Sequence, residues 1–304
     1  IEVDDCGKAF FVDRYRKECD RGSTWNDCNV DCFDDTATSI MERKYMEDIK
    51  IAFFDIDGTI LEFEHKEITD KMRETLNQLQ KNGIIICIAT GRAPITLPHF
   101  EGVDFDAYLT FNGSYCYNRK EAIFDNPIPQ EDVHKLIENA TNMGRPVSAA
   151  TKKRLVANGS DEDLVTYYAF AKLDVEVADD FKEVAENEEI HQIMLGCSME
   201  ERPKLLEGVA QAKITAWWDC AVDVIPADGG KGVGVAKMLE YYGFDKSEAI
   251  AFGDGNNDIA ILEAVGHGVA MGNGSDELKA VADDVCGDVA EDGIYYYCKQ
   301  HHMI

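Results

Sequence analysis

Ile51-Ala52-Phe53-Phe54-Asp55-Ile56-Asp57-Gly58-Thr59 is the stretch from which the rest of the chain is best read. Four apolar residues run straight into two carboxylates, a glycine and a threonine, the pattern of a strand buried on both faces whose end carries polar chemistry. Asp55 and Asp57 stand two residues apart, and strand side chains alternate with period two, so this spacing can aim both carboxyl groups the same way. Gly58 lets the backbone turn sharply. The same nine residues also suit a buried strand that closes on an Asp-Gly turn, and the choice depends on what the remaining chain brings to this point.

Working outward, Ile60 to Lys66 reads as a small flap and Thr69 to Asn82 as a helix, with an apolar stripe of Met72, Leu76 and Leu79, Thr69 as N-cap and Gly83 at its end. A second fully buried strand, Ile84 to Ala89, ends in Thr90-Gly91-Arg92. Strand, helix and strand make a right-handed parallel unit, which brings Thr90 to the sheet edge that carries Asp55 and Asp57. Ala107 to Thr110 is a further strand, followed by Phe111-Asn112-Gly113-Ser114 and a hairpin from Tyr115 to Phe124. Residues 126–225 change character: helices at Gln130 to Met143, Leu164 to Leu173, Phe181 to Glu186 and Met199 to Ala210 alternate with short strands, an α+β insertion large enough to be a domain. The first pattern then resumes, with Gly229-Gly230-Lys231-Gly232 opening a helix and Ala249 to Phe252 forming a strand that ends in Gly253-Asp254-Gly255-Asn256-Asn257-Asp258. The expected organisation is a core of residues 46–125 and 226–304, a cap of residues 126–225, and an N-terminal extension, residues 1–45, that is disordered or outside the functional unit. Met41 and Met46 are candidate starts of the functional domain.

Composition narrows the partners. Of 304 residues, 45% are hydrophobic and 29% charged, as in a globular protein of one large or two medium domains. Asp and Glu number 58 against 30 Lys and Arg, a formal charge of −28 that argues against nucleic acid and anionic membrane surfaces as partners. A phosphorylated substrate must then be drawn in by a metal ion, a lysine or helix N-termini. With no run of apolar residues long enough for a bilayer and no signal-peptide pattern, a cytoplasmic location is the expectation. Cys87, Cys116, Cys197, Cys220, Cys286 and Cys298 are scattered, as reduced thiols usually are, whereas Cys6, Cys19, Cys28 and Cys32 crowd the N-terminus without a standard zinc spacing.

Several chemistries lack their parts: the upstream glycine of a P-loop and the Ser or Thr after its lysine are missing around Lys231, and no G-x-G-x-x-G, His-x-x-x-His or G-x-S-x-G occurs. What remains is a set expected at strand ends, Asp55, Asp57, Thr90, Lys231 and Asp254, with Asn257 and Asp258 close behind. Carboxylates and carbonyls suit Mg2+, and magnesium beside a lysine and a hydroxyl makes a phosphate site. An ionised Asp55 can attack phosphorus. To protonate a leaving alkoxide Asp57 must hold a proton near neutrality, through burial or a neighbouring carboxylate, so it is expected to offer the metal its backbone carbonyl rather than its side chain.

Asp55-Ile56-Asp57-Gly58-Thr59, Thr90-Gly91-Arg92, Lys231 and Gly253-Asp254-Gly255-Asn256-Asn257-Asp258 resemble, in order, the four motifs of the haloacid dehalogenase-like phosphatases, and the insertion resembles the type C2B cap of the Cof subfamily. The resemblance spans Met46 to Ile304 and implies an α/β fold, a Rossmann-like doubly wound parallel sheet with an inserted α+β cap. It implies Asp55 as nucleophile, Asp57 as general acid and base, and Thr90 and Lys231 as holders of the phosphoryl group. Asp55, Asp57 and Asp254 would bind Mg2+, with Asp258 behind them, and Gly91, Arg92, Asn112 and Asn257 would contact substrate. The function implied is a Mg2+-dependent phosphohydrolase acting on a small phosphorylated metabolite, foremost a sugar phosphate. A phosphomutase shares the cap and the aspartyl-phosphate, and a non-catalytic binding protein would show a lost nucleophile or metal ligand, which this chain does not. Asp57 is a second carboxylate that dehalogenation does not need. Trp217-Trp218 could stack on a sugar or fill the cap core, and His301-His302 reads as a solvated tail.

Overall fold

The computed structural model describes residues 48–63, 65–216 and 218–304, together with Glu2–Val3 and Ala9–Phe10. The chain divides into two compact units, residues 1–41 and 42–304. In the first, Glu2–Val3 pairs antiparallel with Ala9–Phe10. The expected disorder of residues 1–45, and the four N-terminal cysteines, otherwise lie outside the described residues.

The second unit is built on β1 (Ile51–Phe54), which is buried throughout. Its Ala52 and Phe54 face a cluster that includes Leu76, Ile86, Phe252 and Tyr297, and its Ile51 and Phe53 face one that includes Cys87, Leu109, Val235 and Ile261. Helices cover both faces, which is why the strand reads as an unbroken apolar run. Beside it lie β2 (Ile85–Ala89), β3 (Ala107–Thr110), β4 (Tyr115–Asn118) and β5 (Ala122–Asp125). On its other side, β11 (Ala249–Gly253), β12 (His267–Ala270) and β13 (Asp284–Val285) complete an eight-stranded sheet in the order β13-β12-β11-β1-β2-β3-β4-β5. Every pairing from β13 to β3 is parallel, and β4 and β5 add an antiparallel edge.

A second sheet, antiparallel in the order β9-β10-β8-β6-β7, consists of β6 (Ser148–Ala150), β7 (Leu155–Ala157), β8 (Gln192–Gly196), β9 (Ala212–Thr215) and β10 (Ala221–Pro226). Ala149, Ile193, Leu195, Val222 and Val224 point into its own core with α2 (Gln130–Asn142). Period-two alternation therefore turns Ala150, Gln192, Met194 and Asp223 to the opposite face, where Ala150 and Met194 pack with Phe111, in the turn after β3, and Tyr168 of α3 (Glu162–Phe170).

Two elements differ from expectation. The helix expected over Met199 to Ala210 is a single turn, α5 (Arg202–Leu205), because Pro203 has no N–H to donate in a longer helix and Gly208, at φ 73°, ends the turn in the left-handed region. The chain also closes on a helix absent from the expected elements, Gly293–Gln300, to which Ile294, Tyr297 and Cys298 give a short buried stripe. His301 is consequently no solvated tail: its ring packs 4.2 Å from that of Tyr297, while His302 is exposed.

The cap helices are tied at Arg145, whose guanidinium reaches Asp161 at 3.2 Å, Asp163 at 2.8 Å and Glu201 at 2.9 Å. Arg145 holds the Glu201 carboxyl down at about 2, against an ordinary 4.5. A lowered carboxyl contributes stability that is present above the ordinary value and fades as pH falls towards the lowered one. Arg145→Met is therefore expected to cost about 1–3 kcal/mol at neutral pH, with the difference from the parent shrinking as pH falls from 4.5 to 2 in chemical denaturation followed at each pH.

Candidate active site

Three loops leave adjacent parallel strands at one edge of the large sheet. Asp55 follows β1 and its N–H donates to the Phe252 carbonyl at 3.1 Å, Thr90 follows β2, and Asp254 follows β11. Lys231 arrives differently, as the first residue of α6 (Lys231–Tyr242) rather than at a strand end. Gly113, at φ 91°, lets the Asn112 turn close onto that helix start: a Cβ there would lie 2.3 Å from the Gly230 carbonyl oxygen.

Lys231 is 2% exposed, and its ammonium lies 2.7 Å from Asp55 Oδ1 and 2.6 Å from Asp258 Oδ1. Burial alone would pull its pKa down, but the attraction of Asp258 and Asp55 outweighs this and holds the amine above its ordinary value. The second Asp258 oxygen accepts the backbone N–H groups of Asp254 and Gly255, at 3.2 and 3.1 Å, so this carboxylate braces the loop and the lysine. Thr59 donates to Asp254 Oδ1 at 2.8 Å. Gly58, at φ 85°, is needed because a Cβ would meet Asp254 Oδ2 at 2.3 Å.

Carboxylate oxygens of Asp55, Asp254 and Asp258 lie within 4.8 Å of one another, with Lys231 paired to the first and the last. Burial raises the pKa of Asp55, eased by Lys231, with Asp258 and Asp254 adding to the rise; burial and then Asp258 raise that of Asp254. This excess of confined negative charge is what a hard divalent cation relieves. Asp258 is committed to Lys231 and backbone, which leaves Asp55 and Asp254 as the side chains fit to hold a metal. A second acidic group, Asp125, Glu189 and His191, is met instead by the Lys152 ammonium, 2.6 Å from Asp125 and 2.9 Å from Glu189.

Asp57 is one-third exposed, and Arg92 forks its carboxylate with bonds of 2.8 and 2.6 Å. Of the two settings expected for it, burial or a neighbouring carboxylate, the first is absent, and its bonded partner is a guanidinium. The Thr90 hydroxyl accepts the Arg92 N–H at 3.2 Å and lines the same cavity as Asp55, Asp57, Gly91, Arg92, Asp254 and Asn257. That cavity, about 430 Å³, lies between the strand ends and the second sheet. Asn112 does not line it: the side chain is 2% exposed and its amide donates to Gln192 at 3.0 Å and to Asp223 at 2.9 Å.

Four cavity residues escaped the sequence reading. Gln192 donates to the Gly91 carbonyl at 3.2 Å, Tyr167 donates to Asp223 Oδ1 at 2.6 Å, and Asn273 donates to the Gly58 carbonyl at 2.8 Å. Asp223 is 4% exposed and burial pushes its carboxyl up to about 6, against the lowering of Tyr167 and Asn112. An acid inside Ala221-Val222-Asp223-Val224-Ile225, and an Asn between two glycines after β12, were the available signals. Of the tryptophans, Trp218 packs edge-on against Phe170 at 5.3 Å and Trp217 lies outside the described residues. Among the described residues no helix is long and apolar enough to cross a membrane.

The profile of the haloacid dehalogenase-like hydrolases matches residues 52–298. YkrA of Bacillus subtilis (strain 168) is 35% identical over 255 residues, 83% of this chain and 98% of that protein. A second Bacillus subtilis relative, YitU, named as 5-amino-6-(5-phospho-D-ribitylamino)uracil phosphatase, is 26% identical over 266 residues, 82% of this chain and 96% of that protein. Among solved structures, the subclass IIB sugar phosphatase BT4131 superposes with a TM-score of 0.75 at 31% identity, covering 84% of this chain and all of that one. A profile match across both halves of the sheet and the residues between them, joined to this identity over nearly the whole second unit, places the chain in a family: it belongs to the haloacid dehalogenase-like hydrolases, as a Cof-type phosphatase acting on phosphoric monoesters.

Proposed function

We propose that this chain is a Mg2+-dependent phosphohydrolase that takes phosphate from small phosphomonoesters through an aspartyl-phosphate on Asp55. The observation that carries the reading is the buried Lys231 ammonium behind the cavity wall, 2.7 Å from Asp55, which lines the cavity. It keeps one oxygen of the nucleophile in place and leaves the other free to attack phosphorus from the cavity side. Asp55, Asp254 and the Asp57 carbonyl would hold the metal, which supplies charge neutralisation for the incoming phosphoryl group. Thr90 and Lys231 bind phosphoryl oxygens, with Gly91, Arg92 and Asn257 at the rim. Asp57 gives a proton to the leaving oxygen and takes one from the water that cleaves the phosphoenzyme. Arg92 takes one acceptor site on each Asp57 oxygen, so the carboxylate keeps spare lone pairs for the transferred proton while the fork holds its orientation. Asn112 acts at one remove, by orienting Gln192 and Asp223.

In this reading residues 46–125 and 226–304 do the chemistry, and residues 126–225 form a C2B-type cap that sets the leaving group. Sugar phosphates have support in the likeness to BT4131, whereas the apolar and aromatic cap side of the cavity favours another leaving group. A phosphate-release screen over sugar phosphates, nucleotides and pyridoxal phosphate tests the function. The expected result is release that EDTA abolishes and Mg2+ restores; full turnover in EDTA would overturn the metal's role, and isomerised sugar phosphate without release would make the protein a mutase.

A further inference from the structure

The cap side of the cavity is apolar and aromatic. Leu155, Tyr167, Phe170, Leu173 and Met194 line it, and Phe111 joins them from the sheet edge. Polar groups there are largely spent on protein partners. The Tyr168 hydroxyl bonds Ser148, the Gln192 amide is bonded at both ends, to Asn112 and Gly91, and the Tyr167 hydroxyl donates to Asp223. Asp223 is different. Its carboxylate has about four acceptor sites, and Tyr167 and Asn112 fill one on each oxygen. Both donors are neutral, and among the described residues none forms an ion pair with Asp223. A buried acid that feels Lys231 only from beyond ion-pair distance, on a wall of rings, has acceptor capacity and negative charge to offer a ligand.

We propose that Asp223 is a specificity residue, and that with the aromatic wall it selects phosphomonoesters whose leaving group is a flat ring bearing a cationic or N–H donor, over polyol phosphates. The inference rests on the phosphohydrolase reading above. A ring recovers dispersion and stacking against Tyr167 and Phe170, and its donor meets the spare lone pairs of Asp223. A polyol would bring several hydroxyl groups against Leu155, Leu173 and Met194, where they lose water and find no partner. The donor need not be a ring atom; an ammonium arm serves equally.

Three probes separate the arms: pyridoxamine 5′-phosphate, a ring with cationic donors; benzyl phosphate, a ring without them; and glucose 6-phosphate, a polyol. With Mg2+, the parent protein is expected to give kcat/KM at least about tenfold higher for the first than for either other. Asp223→Asn keeps an acceptor for Tyr167 but removes the charge, and the ratio of pyridoxamine 5′-phosphate to benzyl phosphate is expected to fall at least about tenfold. Tyr167→Phe, which leaves Asp223 in place, should retain a ratio above that of Asp223→Asn. Preference of the parent for glucose 6-phosphate, or an unchanged ratio in folded Asp223→Asn, would overturn the inference and leave the hydrolase standing. No release from any probe, with none from the wider screen, would overturn both. The parent ratio decides the matter even where the variant does not fold.

Discussion

Asp55→Asn is expected to lower phosphate release from every phosphomonoester by at least about 1,000-fold and to leave no acid-labile phosphoenzyme. An amide oxygen has too little nucleophilicity to open a phosphoester, and the bound metal would lose an anionic oxygen. The fold should survive. Lys231 keeps its 2.6 Å contact with Asp258, and Asn fills the volume of an aspartate that burial already strains towards neutrality. Far-ultraviolet circular dichroism and melting temperature check the fold, and acid quench after mixing with labelled substrate checks the intermediate. Turnover at the parent rate in a folded Asp55→Asn protein would remove the nucleophile from the proposal.

Removing the Lys231 ammonium strikes both chemistry and stability. Lys231→Met leaves Asp55 and Asp258, 8% and 1% exposed, facing each other without their shared cation. Breaking a buried pair in this way costs about 3–5 kcal/mol, or on the order of 10 °C in melting temperature for a unit of this size. Phosphate release should fall by more than about 100-fold, since a phosphoryl oxygen also loses its donor. The double variant Lys231→Met/Asp258→Asn separates the two effects. It should regain part of the lost melting temperature, because one unpaired charge is gone, and regain none of the turnover. Recovery of turnover with stability would mean that the lysine only holds the loop together. A melting temperature unchanged in the single variant would mean that the buried carboxylates do not depend on it.

The parts of the site that could be read from residue order are those carried on short local strings. Ile51 to Thr59, Thr90-Gly91-Arg92 and Gly253 to Asp258 each pair a buried strand with the polar residues that must follow it, so strand and side chain announce each other. Lys231 could be placed at a helix start by the glycines before it, and the structure puts it there. The reading failed where meaning depends on a distant partner. Asp57 looks in sequence like an acid awaiting burial, and Arg92, 35 positions on, forks it instead. Asn112 looks like a substrate contact and is a buried brace between Gln192 and Asp223. The apolar period over Met199 to Ala210 is overruled by Pro203 and Gly208, and the C-terminal helix is too short for its three buried apolar side chains to stand out.

Residue order by itself determined the parallel sheet around Ile51–Phe54 and the motifs that meet at its edge, because a strand buried on both faces must be continuously apolar and must end where its chemistry begins. Only the tertiary structure decided what stands across the cavity from them. Asp223, Tyr167 and Gln192 come from separate elements of the second sheet and its helix, and their alignment against Asn112 and Gly91 follows from strand register and packing, which no local pattern encodes.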